Sequence, residues 1–233
     1  MKVCVIHGSN RKGNTDRTIE IVKKVLDRQG KISYTDFYLP KDLPHFCVGC
    51  FACLQTGEYA GQNCPHKQYT HPILQAMLES DGLIITSPSY ALAETAQVKA
   101  LLDHFACTYM NHRPNEEMFD KIALVISTAA GAGTGRVVST ISRNMLFWGV
   151  KRTIKCKINM LAKDWDQMEA SRRRKAEALL ESRAMTFFHA MENRYRIHHG
   201  ISNRFLRYIF KKLVKSYADT EPDKIYWKAK GWI

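Results

Sequence analysis

The sequence predicts an α/β fold, a parallel sheet with helices on both faces, and three observations carry that reading. Short runs of β-branched or wholly apolar residues alternate with stretches of helical period, starting almost at the first residue. The apolar runs are continuous rather than alternating, as in strands buried on both faces. Three of the loops that follow strands are rich in Gly, Ser and Thr, and all three belong at the carboxyl edge of the sheet, where open α/β folds bind ligands.

Val3 to Ile6 reads as the first strand, and His7-Gly8-Ser9-Asn10-Arg11-Lys12-Gly13 as a small, polar, basic loop. Asn14 and Thr15 are helix-capping types, and Thr18, Ile19, Ile21, Val22, Val25 and Leu26 follow at helical spacing. Gly30 breaks that helix, and Ile32 to Phe37 forms the second strand. Residues 38–69 hold three prolines and four cysteines with no clear period, a long loop of the kind that is functional. A helix over His71 to Ser80, with Thr70 as its cap and Pro72 in its first turn, leads to a third strand, Gly82 to Ser87. Pro88-Ser89-Tyr90 ends that strand, and Thr95 to Cys107 is helical. Lys121 to Ser127 is the fourth strand, Thr128 to Gly135 a small-residue loop, Arg136 to Gly149 a helix, and Thr153 to Met160 the fifth strand.

The 233 residues suit one α/β domain with an appendage, and an apolar content of 45% can fill its core. No apolar run reaches transmembrane length, and a strand at the very start leaves no room for a leader, so a cytoplasmic protein is expected. Seven cysteines, an odd number, fit a reducing compartment. The net charge of +13 is uneven: residues 1–150 hold 15 Lys and Arg against 13 acids, and residues 151–233 hold 20 against 9.

The first loop places backbone N–H groups, hydroxyls, a helix N-terminus and two cations around one point, which suits a phosphate group. It is neither G-x-G-x-x-G nor a Walker loop, since Gly8 and Gly13 have no glycine between them and no Gly-Lys-Ser/Thr follows. No Ser/His/Asp set or paired carboxylates stand out for hydrolysis. His7 reads as structural, and no general acid or base is nominated.

Gly8 to Thr15, Ser87-Pro88-Ser89-Tyr90 with Lys99 to Asp103, and Ser127 to Gly133 together resemble the flavodoxin-like NAD(P)H-dependent FMN reductases over residues 1 to about 160. The resemblance implies a three-layer sandwich with a five-stranded parallel sheet in the order 2-1-3-4-5. The FMN-binding domain would cover 1–165 and a helical extension 166–233. By position, Ser9, Arg11, Lys12, Gly13, Asn14 and Thr15 would hold the FMN phosphate. Ser87, Pro88, Ser89 and Tyr90 would lie along the ring, with Thr128, Gly131 and Gly133 at its other edge. FMN is the implied cofactor, NAD(P)H the transient donor, and a quinone, flavin or protein the acceptor. A homodimer or tetramer is implied too. A non-catalytic FMN electron-transfer or regulatory module is the alternative.

Cys47, Cys50, Cys53 and, after ten intervening residues, Cys64-Pro65 form the second strong feature, expected at the same sheet edge. Four thiolates can hold a [4Fe–4S] cluster, as in the iron-sulfur flavoproteins that the chain also resembles. The long final gap, filled by the insert Gly57 to Asn63, leaves a metal-free loop equally open, and zinc a third option. Cys4, Cys107 and Cys156 read as core residues.

The tail predicts a helix over Met168 to His199 carrying Arg172-Arg173-Arg174-Lys175, and another over Arg204 to Tyr217 capped by Ser202. Its basic faces read as solvated surface or a dimer arm. Nucleic acid is not expected, because no binding motif accompanies the charge, and membrane association is a minor option for 202–217.

Overall fold

The computed structural model describes residues 1–55 and 59–233, so the first part of the insert at 57–63 lies outside the described residues. Five strands, β1 (Lys2–His7), β2 (Ser33–Tyr38), β3 (Gly82–Pro88), β4 (Ile122–Ala129) and β5 (Arg152–Asn159), form one sheet in the order β2-β1-β3-β4-β5. All neighbours are parallel, with Val3 opposite Gly82, Leu83 opposite Ala123 and Leu124 opposite Ile154. The sequence-level sheet and its order are therefore the observed ones. The central strands β3 and β4 are buried almost end to end, which explains their unbroken apolar character. β5, at an edge, alternates instead, sending Arg152, Lys155 and Lys157 outward.

Helices cover both faces. α2 (Lys67–Glu79), α3 (Ala96–His104) and α4 (Thr134–Phe147) pack Ile73, Met77, Leu101, Val137 and Ile141 against Ile6, Leu83 and Val125. On the opposite face α1 (Asn14–Asp27) lies beside α5 (Ala170–Glu192), and Val22, Leu26, Leu180, Phe187 and Met191 share a core with Val5, Leu124 and Ile154. α5 thus completes the sandwich, while α6 (Ile201–Ser216) and α7 (Pro222–Ala229) lie beyond it.

Several boundaries differ from expectation for local reasons. Gly13 is the N-cap of α1, with Asn14 and Thr15 in the first turn, because both their side chains are engaged elsewhere. α2 begins at Lys67 rather than His71, which leaves Pro72 inside it. There the ring removes only one backbone bond near the helix start, and the extra turn buries Thr70. α5 stops at Asn193 rather than His199; the Asn193 side chain donates to the His189 carbonyl at 2.9 Å. Gly200, not Ser202, precedes α6. Among the described residues no helix is long and apolar enough to cross a membrane.

Phe187 is fully buried and presses on Gly82, where an added Cβ would come within 2.6 Å of its ring. Phe187→Ala should therefore cost about 3–5 kcal/mol in urea unfolding of the whole chain. A loss below about 1 kcal/mol would mean that α5 is not part of the cooperative core.

Candidate functional site

The carboxyl ends of β1, β3, β4 and β5 enclose a cavity of about 250 Å³. It is lined by Ser9, Arg11, Gly13, Asn14, Thr15, Pro88, Ser89, Tyr90 and Thr128, nine of the residues singled out from sequence. The first turn of α1 carries no side-chain cap, so its N–H groups remain available to an anion. Arg11 stands over this end, its own N–H bonded to the Ser9 hydroxyl at 3.2 Å.

The remaining sequence candidates serve otherwise. Lys12 and Gly131 do not line the cavity. Ser87 is buried, donating to the Pro88 carbonyl and accepting from the Thr95 amide, so it shapes the strand end. Gly133 works by being small: at φ +102° an added Cβ would meet the Ser89 hydroxyl at 2.1 Å and the Leu92 backbone at 2.8 Å. The Asn14 side chain donates to the Lys163 carbonyl at 2.8 Å and accepts from the Trp165 amide at 2.7 Å, so only its backbone N–H faces the anion end. The Thr15 and Thr128 hydroxyls bond each other at 2.6 Å. Ala129 and Ala130, within the loop expected at this edge, complete the wall with Met160 and Lys163, which were not foreseen. Lys163 follows the fifth strand at the same sheet edge, the one signal that could have found it.

Between Ser89 and Ala93 the chain makes a tight turn with Ala91 and Leu92 at φ +49° and +65°. Paired bonds between Tyr90 and Ala93, 2.9 and 3.1 Å, close it. Two successive non-glycine residues in the left-handed region store strain, which proteins keep mainly where a loop must hold a special shape. Tyr90 and Leu92 are left exposed at its tip.

His7, beneath the phosphate loop, is buried and stacked on Tyr38 at 4.2 Å. Its Nε2 lies 2.8 Å from Asp36, which also accepts from Lys23 at 2.7 Å. Burial pushes the Asp36 carboxyl up, but bonds from His7 and Lys23 hold it below the ordinary aspartate value. The histidine is structural, as read.

The cysteines are elsewhere. Cys47, Cys50, Cys53 and Cys64 line a second cavity of about 390 Å³, which shares no residue with the first. The loop leaves β2 at the carboxyl edge of the sheet, and its cysteines lie against the carboxyl end of α3 and the turn after it, which supply His104, Ala106 and Cys107. Cys107, read from sequence as plain core, is indeed buried but also bonds Cys53. That hydrogen bond and the nearby Arg113 guanidinium lower the Cys53 thiol to about 6 against the opposing effect of burial, and Cys107 is raised in turn. Burial pushes Cys64 up. Cys64, His66 and His104 each offer a ligand atom within 4.8 Å of the others. His66 Nδ1 lies 3.0 Å from His104 Nε2, and His104 Nδ1 faces the Ala100 carbonyl at 2.7 Å.

The sequence profile of the NADPH-dependent FMN reductases matches residues 1–166. The chain belongs to that family. It is a flavodoxin-like flavin oxidoreductase with FMN as the family cofactor. It is 27% identical over its whole length, and that of the relative, to an iron-sulfur flavoprotein of Archaeoglobus fulgidus. To one of Clostridioides difficile it is 30% identical, over 63% of this chain and 62% of the relative. A solved structure of RosB with a bound 8-demethyl-8-formylriboflavin-5′-phosphate has the same fold, with a TM-score of 0.65 and 13% identity over 94% of this chain and 89% of that one.

The first cavity fits FMN on its own chemistry. It combines free helix N–H groups, the Arg11 cation and a buried Ser89 hydroxyl without a partner among the described residues, held in place by close packing against Gly133. Gly133→Val would push Ser89 and Leu92 toward the cavity and should reduce FMN retention more than about tenfold with unchanged far-UV circular dichroism; full retention would exclude the 89–92 turn from the FMN site. In metal-free protein the thiolate of Cys53 is the reactive form, so its iodoacetamide labelling should rise through pH about 6 and level off by pH 7. Labelling of Cys64 should still be climbing there. Peptide mass spectrometry reads both, and parallel profiles would contradict the assigned environments.

Proposed function

We propose that the chain takes hydride from NAD(P)H and passes electrons to a quinone, flavin or protein acceptor. FMN held by the phosphate loop supplies the step between two-electron and one-electron chemistry. The observation that carries this reading is the single cavity built by the ends of β1, β3, β4 and β5. In it the α1 N-terminus, Ser9 and Arg11 hold the phosphate. Pro88, Ser89 and the strained turn at 91–92 set the slot for the ring, and Thr128 with the small loop before Gly133 borders the opposite edge. Exposed Tyr90 and Leu92 leave room for a nicotinamide or acceptor to stack transiently.

For the cysteine cavity we propose a [4Fe–4S] cluster on Cys47, Cys50, Cys53 and Cys64. Four thiols around one cavity, one of them already acidic, and two relatives named iron-sulfur flavoproteins support this. The cluster would supply one-electron transfer. Exposed Val48 and Phe51 at the cavity mouth, with exposed Phe46 close by in sequence, favour a homodimer or tetramer that covers them.

Stopped-flow mixing of FMN-loaded protein with NADPH or NADH should bleach the flavin, followed by turnover with a quinone or dye. A flavin that neither nucleotide reduces would leave the non-catalytic electron-transfer module. Combined Ser9→Ala and Arg11→Ala should weaken FMN binding roughly 10- to 100-fold, the loss of one charge-assisted contact of about 1.5–3 kcal/mol. Undiminished affinity by fluorescence titration would overturn the assignment of the phosphate end.

A further inference from the structure

We infer that Arg113, held in place by the C-terminal helix α7, is a positioning residue of the cysteine cavity whose fixed charge stabilises the reduced form of a cluster bound there. This rests on the cluster reading above. Arg113 is only 2% exposed, unusual for a guanidinium that cannot lose its proton. Its Nη2 donates to the Cys53 carbonyl at 2.5 Å. Among the described residues its Nε has no hydrogen-bond partner, and it stands 3.5 Å from Asp223 of α7. The other oxygen of Asp223 accepts from His112 Nδ1 at 2.7 Å, and His112 itself lines the cavity.

The same short segment is fixed twice more from α7. Trp227 Nε1 donates to the His112 carbonyl at 2.8 Å, and the Tyr226 hydroxyl to the Pro114 carbonyl at 2.7 Å. The last helix therefore clamps residues 112–114 from outside while Arg113 reaches inward to the cysteine loop. Burying a cation is costly unless a negative charge answers it. One carboxylate, shared with His112 and poorly aligned, answers only part of it. Four thiolates around iron carry net negative charge that increases by one on reduction, and nearby charge is a main determinant of such potentials. A buried cation on the carbonyl of one ligand therefore favours the extra electron.

The test uses the full-length protein carrying FMN, with its cluster reconstituted anaerobically. Iron, sulfide and FMN are assayed, and the cluster potential is read by low-temperature EPR in a mediated titration. Arg113→Gln should lower the cluster potential so that, at the wild-type midpoint, the reduced-to-oxidised ratio falls about tenfold, equivalent to 59 mV for one electron. Arg113→Lys should restore most of it, and the FMN content should not change. A Gln variant at the wild-type potential, or a Lys variant displaced as far as the Gln variant, overturns the inference alone. A wild-type protein that binds neither iron nor sulfide overturns the cluster reading and this inference with it. If Arg113→Gln loses its iron but keeps FMN, Tyr226→Phe tests the clamp without altering any charge. It should retain the cluster roughly tenfold less well against a chelator, and wild-type retention would refute the role of α7.

Discussion

The close approach of Gly8 to β3 is the constraint on which both sites depend. Its N–H donates to the Thr86 carbonyl at 2.9 Å, and its own carbonyl accepts from the Thr95 hydroxyl at 2.7 Å. An added Cβ would sit 2.3 Å from that same Thr86 oxygen and 2.5 Å from Val98. No other residue can therefore pass between β3 and α3 at this point without forcing them apart. The contact delivers the phosphate loop to the helix that follows the next loop. It also uses Thr95 twice, as anchor of Gly8 and as N-cap of α3. The strained turn at Ala91 and Leu92 is the span between these fixed points, β3 on one side and Thr95 on the other.

What was legible in the sequence followed from local chemistry. Buried parallel strands are nearly all apolar, so β3 and β4 announced themselves. A phosphate loop needs glycine, hydroxyls and cations close in sequence, so Ser9 to Thr15 did too. Three residues read differently once the partner that engages each side chain is seen. Asn14 looks like a phosphate ligand or a cap until Lys163 and Trp165, nearly 150 residues away, take both ends of its amide. Ser87 looks like a ring contact until the Thr95 amide occupies its oxygen. Cys107 looks like core because nothing in its spacing connects it to Cys53. The short turn that follows α3 carries it there.

The basic tail was hardest to read, because charge describes its surface and not its buried contacts. α5 carries the Arg172–Lys175 run outward and yet buries Leu180, Phe187 and Met191 on the sheet. α6 is different: Ile201, Phe205, Tyr208, Ile209 and Leu213 remain exposed among Arg204, Arg207, Lys211, Lys212 and Lys215. α7 holds the segment beside the cysteines through Asp223, Tyr226 and Trp227.

α3 sets the relation between the two cavities. Its N-terminal cap touches the phosphate loop, and its last residues reach the cysteines. It has nine residues, so at 1.5 Å per residue its axis spans about 14 Å. Val98, Leu101 and Leu102 bury it against the sheet, so that length does not flex. A flavin and a cluster placed at its two ends would be held apart by a packed helix rather than by a loop. Change at either site would then have to move electrons and not the backbone. The exposed rim residues Val48 and Phe51, by contrast, sit on the loop side of the cysteine cavity. An electron acceptor or a second copy of the chain can approach the cysteines there without disturbing the helix that positions the flavin loops.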